Sequence, residues 1–333
     1  MLKTLLGCSS FISLSLSLTP ALATTFQGTP GTANEIALKG HTRLVEEVAI
    51  SPSGKLAASA GLGRNELFLW SLPDGKKIAN LDWPKFEDFR ALAFTPDGKE
   101  LAVLFESRLA VWDLDKRAKT EWPDFKASSA IAFSVDGNWV AHDYLEELVV
   151  RNWNTKSIKK KYPGHIRGIT RICFSKDSKY VIAADLEWNL HVWNMNTGER
   201  SLLRGHKHKI TGIVATGNAN TIVSSSWDKK VVVWNLEKQA MRKIIECDGE
   251  VSCLSISTPS NILAFGTHAR GIHVWDLKND ACVGVFMNDK EPPFINAISV
   301  SPDETRLLAG SSRSFLFDDK LGTLTMLKIR DGK

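Results

Sequence analysis

The side chains that could do chemistry in this 333-residue chain are eight histidines, five cysteines and several adjacent carboxylates. His206-Lys207-His208 places two imidazoles close enough to suggest a metal, yet no third ligand of matching spacing accompanies them. The doublets Glu46-Glu47, Glu87-Asp88, Glu146-Glu147 and Asp318-Asp319 could supply an acid–base pair. Neighbours on a strand point to opposite faces, so they are read as solvated loop charge. There is no Gly-x-Ser-x-Gly elbow, no glycine-rich phosphate loop and no His-Glu-x-x-His. Beyond Cys8 the cysteines are Cys173, Cys247, Cys253 and Cys282, none in a C-x-x-C pair, and buried free thiols are expected. No catalytic residue, metal or cofactor is therefore predicted.

The elements that would position such side chains repeat. Trp70, Trp112, Trp153, Trp193, Trp234 and Trp275 follow one another at steps of 42, 41, 40, 41 and 41 residues. Each ends a β-rich run such as Val231-Val232-Val233-Trp234, and Asp or Asn follows in five of the six cases. A second marker keeps the same phase seven times: an alternating apolar run ending in Ser or Thr, at Ser51, Thr95, Ser134, Ser175, Thr216, Ser257 and Ser301. Three copies continue into a Pro turn (Pro52, Pro96 and Pro302), which is hairpin chemistry. The seventh copy has Leu327 at the tryptophan position and about eleven extra residues, placed at 311–321 as a longer loop containing Phe315 and Phe317.

Two markers in one register, with periods of ~40–45 residues, are the signature of a β-propeller, and from residue 34 to 333 the sequence resembles the WD-repeat family. The opening Gly-His of that family stands at Gly40-His41, Gly164-His165 and Gly205-His206. The resemblance implies an all-β fold: a seven-bladed propeller of four-stranded antiparallel blades, with the tryptophan strand third in each blade. It also implies a hydrogen-bonded His–Ser–Asp–Trp set within a blade. The fifth repeat alone matches it throughout, as His206, Ser224, Asp228 and Trp234; elsewhere the Asp position holds Arg64, Glu147, Glu187 or Ala269. Fewer than seven residues follow Leu327, too few for a fourth strand, whereas residues 35–39 form a strand with no blade of its own. The N-terminal strand is therefore expected to complete the last blade and close the ring.

In such a family, partners meet the face where the first strand of each blade begins. Counting back from the Ser/Thr marker gives Glu46, Arg90, Ser129, Thr170, Thr211, Ser252 and Asn296. Two residues earlier lie Lys209 and Phe294 among others, and the turns before the tryptophan strands add Phe105, Leu186, Trp227 and His268. The predicted partner-binding set is Glu46, Arg90, Phe105, Lys209, Trp227, His268, Phe294 and Asn296. Trp and Arg dominate interface energetics, which singles out Trp227, although packing against a neighbouring blade is an equal alternative for it.

Residues 1–23 read as a cleavable export signal, with Lys3, an apolar and serine-rich stretch and the small-residue pattern Ala21-Leu22-Ala23; a short linker, 24–33, follows. Leu5-Leu6-Gly7-Cys8 resembles a lipidation box but has too few residues before it, so lipid anchoring at Cys8 is not expected. A secreted or periplasmic protein is the expectation, with no transmembrane segment and as a monomeric propeller within a complex. With 42 basic and 37 acidic residues the net charge is +5, too dispersed for a nucleic-acid footprint. The leading reading is a non-catalytic protein-binding scaffold acting outside the cytoplasm, with an unidentified protein partner. The alternatives are a carbohydrate or cell-wall polymer binder and, last, a propeller enzyme.

Overall fold

A computed structural model describes residues 35–62, 66–81, 89–106, 108–127, 129–162, 168–269, 271–286, 294–312 and 323–329. The segments 1–23 and 24–33, Cys8, Arg64, Glu87-Asp88, Gly164-His165, Phe315, Phe317 and Asp318-Asp319 lie outside them.

The described residues form seven four-stranded antiparallel sheets. With strands lettered a to d from the inside outward, blade 5 is typical: Ile210–Ala215, Thr221–Ser226, Lys230–Asn235 and Ala240–Glu246. Innermost strands touch from blade to blade, and Val45–Ile50 of blade 1 meets Phe294–Val300 of blade 7. In blade 7 the outermost strand is Glu35–Leu38, antiparallel to Thr323–Lys328 with Leu38 opposite Leu324. The chain start thus completes the last blade, and the ring closes through a strand pair. Leu327 lies opposite Leu307, as Trp234 lies opposite Ile222.

Both faces of every blade are covered, so the middle strands are apolar at successive positions and not at alternate ones. Odd and even residues face different neighbours. In Leu67–Ser71, Leu67 and Leu69 pack toward Phe94 and Trp112 of blade 2. Phe68 and Trp70 pack toward Leu308 and Met326 of blade 7. The same arrangement recurs at each interface around the ring.

The repeated Ser/Thr closes each a–b hairpin, which is why a polar residue recurs after every apolar run. All seven are buried. In blade 3, Ser134 Oγ accepts from Trp139 N at 2.9 Å and donates to Asp136 Oδ1 at 2.5 Å. Thr95, Ser175 and Ser301 build the same pair of bonds in blades 2, 4 and 7. Burial pushes the carboxyls of Asp97, Asp136 and Asp303 up, but the hydroxyl and backbone donors outweigh it and leave each below the ordinary value.

Candidate functional site

The upper face, formed by the b–c turns and the d–a connections, surrounds the mouth of a central channel of about 190 Å³. The position obtained by counting back from the marker is structurally distinct. In five blades it is the extra residue of a β-bulge in strand a: Glu46, Arg90, Thr211, Ser252 and Asn296. A bulge leaves one residue out of the ladder and re-aims it. In the remaining two blades the equivalent residues lie before strand a, Ser129 by two positions and Thr170 by one.

Three of these seven side chains bind blade to blade. Ser129 Oγ donates to Ile169 O, Thr211 Oγ1 to Val251 O at 2.8 Å, and Ser252 Oγ to Ile295 O. Arg171 Nε reaches Thr211 O at 2.9 Å in the same way. The hydroxyls among them fasten the inner ring, a role that the spacing alone did not reveal. Arg90 is exposed at the channel mouth and Glu46 is half-buried. Asn296 is half-buried with its Nδ2 atom buried and unbonded among the described residues. In the channel Glu47 is pushed up by burial, against the pull of Arg171.

Phe105 is corrected: it is fully buried in the blade 1–blade 2 core, with the Arg108 guanidinium 5.3 Å above its ring. The b–c turn of blade 2 is too short to lift it out, because Phe105 still pairs with Arg108 across the hairpin. It is unavailable to a partner.

Lys209, Trp227, His268 and Phe294 are brought together, joined by two residues that the sequence reasoning missed. Five rings run across blades 4 to 7. Trp188 stacks on His208 at 5.5 Å and 9°, and His208 meets Trp227 at 5.6 Å. Trp227 meets His268 at 6.2 Å, and His268 meets Phe294 edge-on at 4.9 Å. Lys209 Nζ lies 4.9 Å over the Trp227 ring, a cation–π arrangement. His268 Nδ1 is 3.1 Å from Glu250 Oε2. Trp188 and Phe294 are exposed, 40% and 42%; Trp227 is half-buried between a ring of its own blade and one of the next.

Backbone strain marks the same place. Trp188 has φ of +67°, a conformation that costs a bulky residue about 1–2 kcal/mol. Asp185 holds the turn, accepting from Glu187 N at 2.9 Å and Asn189 N at 2.8 Å. His191 Nε2 also lies 2.8 Å from Asp185 Oδ2. Burial raises the Asp185 carboxyl, but these donors leave it lowered overall. Its exposed tryptophan next to an acidic turn was the signal available in the sequence.

Beneath this face lies the blade-stiffening set. His206 Nε2 and Trp234 Nε1 both meet Ser224 Oγ, at 2.7 and 2.8 Å, and His206 Nδ1 is 2.9 Å from Asp228 Oδ2. Blade 1 builds the equivalent set with a carboxylate from an unforeseen position. His41 Nε2 and Trp70 Nε1 meet Ser59 Oγ at 2.7 and 2.8 Å, and Glu66 Oε2 is 3.1 Å from His41 Nδ1. The longer Glu side chain reaches the histidine from two residues beyond the Asp position. In blade 3 the tryptophan binds its neighbour instead, Trp153 Nε1 donating to Glu100 Oε2 of blade 2 at 2.8 Å. No group of three His, Cys, Asp or Glu side chains able to hold a metal occurs among the described residues. The four cysteines are free, and burial raises the Cys253 thiol to about 12. No helix of the described residues is long and apolar enough to cross a membrane.

Comparison with known proteins gives three results. The family model described as "WD domain, G-beta repeat" matches residues 156–194 and 199–235. Autophagy-related protein 16 of Arabidopsis thaliana is 26% identical over 171 residues, 49% of this chain and 32% of that one. Small ribosomal subunit protein RACK1 of Medicago sativa is 37% identical over 81 residues, 24% of either chain. The chain thus spans about a third or less of the length of these curated relatives. The crystal structure of RRP9 WD40 repeats superposes with a TM-score of 0.76 at 17% identity, covering 91% of this chain and 99% of that one.

The expectation of a secreted or periplasmic protein is corrected by these relatives. Those relatives are a ribosomal subunit protein and an autophagy-related protein, names that speak against an exported protein. The export reading rested on the composition of 23 residues, and an apolar, serine-rich start does not by itself specify an address. The repeats and the closed ring of seven four-stranded blades agree: the chain is a β-propeller, similar to the WD-repeat family at residues 156–194 and 199–235.

Proposed function

We propose that this protein is a non-catalytic scaffold that binds a partner protein on the upper face of the propeller, through the ribbon from Trp188 to Phe294. The observation that carries this reading is the ribbon itself, five contiguous rings on the upper face. Exposed aromatic and basic side chains are those that dominate binding energy at protein interfaces. The rings lean on one another, and Trp227 is also covered by Lys209. That leaves little of the open aromatic face on which a sugar would stack, so a protein partner is preferred to a carbohydrate.

The test is a comparison of captured proteins from cells that express the chain. A Trp188→Ala, Trp227→Ala double variant is set against Lys55→Ala, Lys99→Ala on the opposite face, with both checked for wild-type melting. A partner lost by the first and kept by the second supports the reading. Retention of the full set of partners by the ring variant refutes it.

A further inference from the structure

The ribbon is charged at its middle. Lys209 lies over Trp227, and on the channel side the neighbouring cation is Arg171. Arg171 directs Nε to Thr211 O at 2.9 Å and Nη1 to Thr170 O at 2.8 Å. These bonds fix the guanidinium at the channel mouth without neutralising it. Among the described residues no carboxylate lies within ion-pair distance of either group. The acids nearby are engaged elsewhere: Asp228 with His206, Glu250 with His268, Asp185 with His191. Glu47 acts on Arg171 only at longer range, from within the channel. Burial and then Arg171 hold the Lys209 ammonium below its ordinary value. Exposed Lys207 and Lys229 flank the same blade.

Two like charges beside the middle of an apolar strip favour a ligand that brings a negative charge there. We propose that the upper face takes an acidic peptide segment, its apolar side chains along the Trp188–Phe294 rings and an Asp or Glu carboxylate between Lys209 and Arg171. This rests on the reading of the upper face as the docking surface and adds the chemistry of the partner. The ring-to-ring steps of 5.5, 5.6, 6.2 and 4.9 Å limit the contact. At ~3.3 Å per extended residue, no more than about seven residues of partner lie along it. An anionic peptide fits better than single-stranded nucleic acid. Bases need open aromatic faces and a row of cations along the backbone, whereas here the rings cover one another and the uncompensated cations are clustered beside Trp227.

The test uses the full chain and three fluorescein-labelled heptapeptides of Gly, Pro and Phe that differ only in carrying two Glu, two Gln or two Lys residues. Anisotropy is expected to show the Glu peptide binding at least tenfold more tightly than the Gln peptide, with no binding of the Lys peptide. Raising salt from about 0.05 to 0.5 M should remove that preference. Arg171→Gln and Lys209→Gln should each abolish the Glu-over-Gln preference while melting as the wild type, and Lys209→Glu should invert it toward the Lys peptide. Trp188→Ala should weaken the Glu and Gln peptides alike. Equal binding of the Glu and Gln peptides, still lost in Trp188→Ala, would overturn the acidic partner and leave the docking surface standing. Failure of all three peptides, with partners retained by the ring variants, would overturn both. Tighter Arg171-dependent binding of a labelled oligouridylate than of the Glu peptide would assign the cations to nucleic acid and also overturn the proposal.

Discussion

Ser224→Ala isolates the energetic role of the hydrogen-bonded set in blade 5. The hydroxyl is fully buried and is the common partner of His206 Nε2, at 2.7 Å, and Trp234 Nε1, at 2.8 Å. Alanine keeps the strand and nearly the same volume but leaves two buried polar groups without a partner. Each such loss costs about 1–3 kcal/mol, so the variant should lose about 2–5 kcal/mol. At roughly 2–4 °C per kcal/mol for domains approaching this size, the melting temperature should fall on the order of 5–15 °C. Ser59→Ala in blade 1 removes the equivalent bonds to His41 and Trp70 and should cost as much. Lys238→Ala, on an exposed turn, is the control. Calorimetry alongside urea titration reads all three. A Ser224→Ala loss under ~0.5 kcal/mol would show that the set does not stiffen the blade, and the argument from its geometry would fail.

Three further outcomes are expected. Removing residues 34–39 uncovers the edge of Thr323–Lys328 and takes away Leu38, whose burial alone is worth about 1.5–3 kcal/mol. The truncated chain should melt earlier and aggregate, and unchanged melting would refute closure by this strand. Gly310→Ala places a Cβ 2.7 Å from Val45 Cγ1 and 3.0 Å from Val45 Cβ at the same seam. It should cost about 1–3 kcal/mol, read as a shifted urea midpoint, and a neutral result would mean that the seam is loose. His142 is pushed down to about 4 by burial, and Arg151 Nε donates to its Nε2 at 3.2 Å, which requires the neutral ring. The unfolded chain takes up this proton near pH 6.5 and the folded one only near 4, so stability falls as pH drops through that window. Its full extent is on the order of 3 kcal/mol, and His142→Gln should flatten the slope between pH 7 and 4.5 in denaturant titrations.

Much of the architecture was legible in the residues because its causes are local to one repeat. A tryptophan ending an apolar run, a Ser or Thr closing a hairpin and a turn residue after it recur wherever the same four strands are built. The surplus of 35–39 at one end and the missing strand after Leu327 at the other sufficed to join the ends. The set His206, Ser224, Asp228 and Trp234 could likewise be named, since all four residues belong to one repeat.

The upper face depended on what the ring brings together. Trp188, His208, His268 and Phe294 come from four connections in four blades, and no spacing within a repeat places one ring upon the next. The bulge at Glu46, Arg90, Thr211, Ser252 and Asn296 is invisible in an apolar alternation, because one extra unpaired residue leaves the pattern on either side intact. Glu66 could replace an aspartate from two residues away only because the first blade's turn and the longer side chain let it reach His41. Phe105 and Trp227 occupy the same counted position, yet the shorter turn buries one and the longer turn lifts the other. Sequence by itself determined the blades, their number and their closure, since these follow from hydrogen bonding and burial along one strand after another. Which side chains share the rim, and which cations there lie without a counter-charge, only the tertiary structure decided, because those distances are measured across blades.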